Sequence, residues 1–134
     1  MLAADQRLTE PDLFRTASRK GRRAGSRTLV AHLLLPGEQQ VVGMSGDRAL
    51  PARPARAGFV VSKAVGNAVV RNRVKRRLRH AVRPALVGIP AGSVLVVRAQ
   101  PAAAEASYAE LGEDLARCLD RVTSQGHAAG QEAR

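Results

Sequence analysis

Residues 66–83 read GNAVVRNRVKRRLRHAVR and place seven Lys or Arg side chains in the thirteen positions 71–83. At 100° per residue, Val70, Val74, Leu78, Ala81 and Ala85 fall on one helical stripe. Asn72, Arg73, Lys75, Arg76, Arg79, His80 and Arg83 take the opposite half, with Arg71 and Arg77 at the margins. Asn67 suits an N-cap, and Pro84 disfavours helical geometry at Arg83, so the spacing predicts a helix over about 68–83. The apolar stripe needs a core to dock on. The charged half needs something else: no Glu or Asp stands at the i±3 or i±4 positions that would pair these cations within the helix. A charge run is commonly only a solvated face, but one of a single sign repels itself and points to a polyanionic partner.

Charge elsewhere sharpens this reading. The 134 residues carry a formal net charge of +11. Residues 1–47 hold seven basic and five acidic side chains, residues 48–104 twelve and none, and residues 105–134 three and six. The excess therefore sits in the middle of the chain, where RNA, DNA or an anionic membrane surface could be attracted and counterions released. Length and a 45% apolar composition fit one domain over 1–124. No apolar run reaches the ~20 residues of a spanning helix, and the first ten residues lack signal-peptide order, so a cytoplasmic protein is expected. A single cysteine, Cys118, permits no intrachain disulfide or multi-cysteine zinc site and suits the core. His32, His80 and His127 are scattered, and phosphate-binding glycine motifs are missing, so no catalytic side chain, protein-held metal or protein-bound cofactor is expected.

Along the chain, Thr9 and Pro11 mark a helix starting near Glu10, with Leu13 and Ala17 inward and Phe14 beside them. Arg15, Arg19, Lys20, Arg22, Arg23 and Arg27 follow as a second basic tract. Residues 28–35 read as a buried strand, with His32 sharing a face with Thr28, Val30 and Leu34. Residues 36–55 form a flexible connection in which 39–44 could make a short strand. Strands are expected over 56–63 and 93–99 around the basic helix, which is the order of a crossover unit. The capping-box pattern at Ser107 and Glu110 opens an amphipathic helix over 108–123, and 125–134 is expected to be disordered. Phe14, Phe59 and Tyr108 are the only aromatic residues, too few for a stacking platform, so phosphate contacts should dominate.

The run GFVVSKAVGNAVVRNRVKRRLR, with Arg7, Leu8 and Phe14 upstream and residues 101–119 downstream, resembles the protein subunit of bacterial ribonuclease P. Its hallmark RNR motif is matched by Arg71, Asn72 and Arg73. The resemblance implies an α/β fold, an α+β two-layer sandwich. About four strands would form a mostly antiparallel sheet with three helices, the RNR helix lying in a left-handed βαβ crossover. It implies a subunit of a tRNA 5′-processing endoribonuclease in which the RNA subunit is the catalyst and holds most of the Mg2+. The implied partners are that RNA and precursor tRNA, with neither a membrane nor an obligate protein partner. Carried over residue by residue, it gives Asn67, Arg71, Asn72, Arg73, Lys75, Arg76 and Arg79 to the catalytic RNA. Phe14, His32, Arg56, Ser62 and Lys63 fall to a cleft for the 5′ leader. The chain departs from the family pattern at Ser18, His32, Ala64 and Ala99, where a bulky residue, a tyrosine, a lysine and an arginine are common; Arg98 precedes Ala99 and faces the other side of its strand.

A ribosomal-type or general RNA-binding protein without a role in cleavage would carry the same charge. An architectural DNA-binding protein fits less well, because the basic helix has no dimerising heptads or second recognition helix. A self-sufficient nuclease would need acids near the basic stretch, and none lies between Asp47 and Glu105.

Overall fold

The structure, a computed structural model, describes residues 7–8, 11–35 and 54–131. The expected cap at Thr9 and the short strand over 39–44 lie outside the described residues. The elements are α1 (Pro11–Lys20), β1 (Arg22–Gly25), β2 (Leu29–Leu34), β3 (Arg56–Val60), α2 (Ala68–Ala85), β4 (Val94–Ala99) and α3 (Tyr108–Gln131). Short 3₁₀ turns, Leu86–Gly88 and Pro101–Glu105, follow α2 and β4. The four strands make one sheet in the order β1-β2-β4-β3, antiparallel except for β3 against β4. Because β3 and β4 are parallel neighbours, the chain must cross over between them, and α2 is that crossover.

Strand alternation divides the core. Leu29, Ala31 and Leu33 of β2, Leu95, Val97 and Ala99 of β4, and Ala57 and Phe59 of β3 face α2 and α3. They pack there with Val74, Leu78 and Val82 of α2 and with Leu111, Leu115, Cys118, Leu119 and Val122 of α3. Leu34, Val94 and Val96 face the other way, beneath Leu8, Leu13, Phe14 and Ala17. Leu8 is held along β3 by its amide, which donates to the Ala57 carbonyl at 2.9 Å.

Several expectations need correction. The tract at 22–25 is an edge strand, paired Arg22 to Leu33 through Gly25 to Val30, although RRAG has no β-branched residue. It forms because the turn after it is pinned: the Ser26 amide donates to the Leu29 carbonyl at 2.8 Å, and Ser26 Oγ accepts from the Leu29 amide. α2 runs two residues past Arg83, and Pro84 sits in its last turn. There a missing donor removes only one bond. α3 continues to Gln131 rather than ending near 123, since each added residue closes one further backbone bond. β3 ends at Val60, short of the expected 63. Its pairing with β4 stops at Arg98, and the Ser62 carbonyl then accepts from Val65 in a turn. Gly92, at φ 86°, completes the turn into β4, with the Ser93 amide donating to the Pro90 carbonyl.

Candidate nucleic-acid interface

α2 is built from its N-cap inward. Asn67 Oδ1 accepts from the Val70 amide at 3.0 Å, which satisfies one of the orphan donors of the first turn. Val74, Leu78 and Val82 are fully buried against the sheet and α3, with Val70, Ala81 and Ala85 at the edges of the contact. Burying each such side chain contributes roughly 1.5–3 kcal/mol, which fixes the helix and therefore fixes where its cations point.

Those cations divide into two groups. The margin residues and Arg73 are tied to the protein's own backbone: Arg71 Nε donates to the Gly66 carbonyl, Arg77 to Ala106 at 2.9 Å, and Arg73 to Ala104 at 3.4 Å. The sequence had put Arg73 wholly on the outward half; it is half-buried and leans toward the turn after β4. Asn72, Arg76 and Arg83 are exposed, with Lys75 and Arg79 half-buried beside them. Among the described residues, none of these cations makes an ion pair. Val69, 71% exposed, stands on the same outward side one turn before Arg73 and two before Arg76. The result is a rigid row of phosphate-sized donors with no carboxylate along the helix.

The second assembly lies across the sheet, where α1 covers β2 and β4 only partly. Pro11, Phe14, Arg15 and Ser18 of α1 line a groove with Val60 and Arg98. Phe14 lies directly over β3. A Cβ at Gly58 would sit 2.2 Å from its ring, so glycine is what lets the aromatic approach. On this face Arg23, His32, Arg56 and Arg98 project from four different strands, because each pairs in register with a residue of that side. His32 and Arg56 are buried, whereas Arg98 is exposed. Burial holds the His32 imidazole below its ordinary pKa, and the Arg98 and Arg23 guanidiniums add to the effect.

Of the residues expected in the cleft, Phe14, His32 and Arg56 share this face. Ser62 and Lys63 do not stand on the strand beside it; both are exposed on the turn that leads into α2, where Ser62 Oγ accepts from Ala64. Arg98 was missed as a cleft residue, although its place in VLVVRA was a usable signal: an arginine at an odd step from the buried leucine must share the face of Val94 and Val96.

Sequence and fold both have counterparts among known proteins. Residues 2–123 match the family described as Ribonuclease P. The chain is 54% identical over 125 residues to the ribonuclease P protein component of a Nocardioides strain, covering 93% of this chain and 97% of that one. It is 57% identical over 124 residues to the component from Salinispora tropica, covering 86% and 88%. In fold it is similar to the Staphylococcus aureus RNase P protein, with TM-score 0.68, 24% identity and coverage of 86% and 93%. The Thermotoga maritima RNase P protein, solved in complex with 1-(4-fluorophenyl)-2-thiourea, gives TM-score 0.64 at 23% identity, covering 87% and 99%. With a matched family over nearly the whole chain and relatives above half identity, the chain belongs to the ribonuclease P protein family.

Proposed function

We propose that the outward face of α2 holds the catalytic RNA subunit of ribonuclease P, while the groove between α1 and the sheet receives the 5′ leader of precursor tRNA. As a family member the chain is a component of an endoribonuclease complex and associates with its RNA. The observation that carries the finer reading is the pairing of two cationic surfaces, one ridge and one groove, on opposite sides of a single sheet. A ridge of cations with no ion pair among the described residues suits the phosphates of a folded RNA. A half-covered groove with one aromatic ring and several guanidiniums suits an extended single strand.

Mg2+ enters this reading through the RNA. The donors on α2 are guanidinium, ammonium and amide groups, and no group of three or more His, Cys, Asp or Glu among the described residues could hold a metal. These residues do not fit the ion, and nothing this chain does is routed through it. Its contribution is electrostatic: it lowers the repulsion between substrate and RNA, and the leader contacts add affinity away from the scissile bond. No helix among the described residues is long and apolar enough to cross a membrane. A cytoplasmic site of action goes with the reading.

The test is reconstitution. The protein, a bacterial ribonuclease P RNA and labelled precursor tRNA are mixed at low Mg2+, with each component also assayed alone. Leader release by protein plus RNA, well above RNA alone, is expected. Binding to ribosomal RNA with no stimulation of cleavage would favour a general RNA-binding role instead.

A further inference from the structure

We infer that a leader phosphate seats among Arg23, His32 and Arg98, and that His32 takes up a proton as it does so, making leader binding by this chain tighten as pH falls. The inference rests on the cleft reading given above and adds its regulation. Arg23 stands directly across from His32 in the β1–β2 ladder, and Arg98 lies opposite Val30 in β2–β4, one diagonal from His32 on the same face. Such positions put Cβ atoms about 4.5–5.5 Å and about 7–8 Å apart. Arg98 also lines the groove beside Phe14 and Ser18, and so stands between the groove and the histidine's side of the face.

His32 is only 5% exposed, and among the described residues its Nδ1 finds no hydrogen-bond partner. A buried ring nitrogen in that state lacks either a donor or an acceptor, whichever tautomer is present. A phosphodiester supplies acceptors alone. Both ring nitrogens meet it best as N–H groups, which requires the imidazolium.

The charges around the ring explain why the proton waits for the ligand. Beside it stand Arg23 on β1 and Arg98 on β4, with Arg56 farther along the same face on β3. α1 contributes Arg15, Arg19, Lys20 and one acid, Asp12, which Arg15 engages at 3.6 Å. Among the described residues of these elements no other carboxylate is present to stabilise an imidazolium. Burial and the two flanking guanidiniums hold the free imidazole below its ordinary pKa. An anion between them reverses the local potential and raises it. Affinity for the leader then increases as pH falls through the bound-state pKa, and levels off below the free-state one.

The experiment compares precursor and mature tRNA binding to the full chain assembled with ribonuclease P RNA, at pH 6, 7 and 8, under conditions that block cleavage. The ratio cancels pH effects on the RNAs themselves. The precursor preference should grow by about twofold or more from pH 8 to pH 6 for the native chain, and His32→Gln should flatten that dependence. As a check that needs no variant to fold, NMR of the native chain should show the His32 ring titrating at higher pH when a single-stranded RNA of leader length is added. A precursor preference with the same pH slope in both chains, or an unmoved His32 titration with the RNA bound, overturns the inference and leaves the cleft reading intact. A chain that shows no precursor preference at any pH removes both.

Discussion

The two faces of the sheet start from the same strands and end as different materials. Beneath α2 and α3, Leu29, Leu33, Leu95 and Val97 close over with three fully buried side chains of α2 and a full stripe of α3. Beneath α1, Leu34, Val94 and Val96 form a thinner layer under one ten-residue helix, with Arg23, His32, Arg56 and Arg98 around it. Two helices can seal a four-stranded face and one cannot. The dry face therefore supplies stability, and the part-covered face leaves a groove with Arg98 exposed at its edge. α2 joins the two roles: its inward stripe belongs to the dry core, and its outward half carries the charge.

The largest expected effect comes from breaking the dry face. Val74→Asp puts a carboxylate at a position with no exposure, and about 3–5 kcal/mol of stability should be lost, read as a sharp fall in the thermal midpoint. A neutral melt would mean that the inward stripe of α2 is misassigned.

Next comes the strut between α3 and the β1–β2 turn. Thr28 Oγ1 and Arg117 both donate to the Asp114 carboxylate, and Arg121 donates to the Gly25 carbonyl at 2.7 Å. The Thr28 hydrogen bond, with help from Arg117, holds the Asp114 carboxyl below its usual range despite the opposing effect of burial. A depressed folded-state pKa contributes stability that is present above the unfolded-state value and is lost as pH falls through the folded-state value. Asp114→Ala should cost roughly 1–3 kcal/mol at neutral pH. Asp114→Asn should melt with a weaker dependence on acid than the native chain; identical acid profiles would remove Asp114 from the account.

On the open face, Phe14→Ala should weaken precursor tRNA by roughly 1–3 kcal/mol if a base stacks there, and mature tRNA hardly at all. Gly58→Ala offers a sharper version, because the added methyl displaces the ring without deleting it, and it should reduce the same preference. Equal losses for both RNAs would assign Phe14 to the core.

The smallest change is on the ridge. Arg76→Ala with Arg79→Ala should leave the melt nearly unchanged and make the slope of log K against log[salt] for the RNA subunit shallower by about 1–2 units. An unaltered slope would move the RNA surface elsewhere.

Much of this was legible in residues 66–83, since the 3.6-residue period separates Val74 and Leu78 from Arg76 and Arg79 with no knowledge of the fold. The cap at Asn67 and the capping box at Ser107 and Glu110 were equally local, and both are present, the latter with reciprocal bonds of 2.9 and 3.0 Å. RRAG could not be read as a strand, because its extended shape comes from β2 and from the Ser26 turn rather than from its own propensity. Nor could the lean of Arg73 and Arg77, which depends on where the backbone at Ala104 and Ala106 passes. The sequence by itself determined the faces of each helix and the alternation of each strand, as both follow from local geometry. Which strands became neighbours, and so which distant residues share the open face as Arg23, His32 and Arg98 do, was decided only by tertiary pairing. Register couples positions dozens of residues apart, and no local period encodes it.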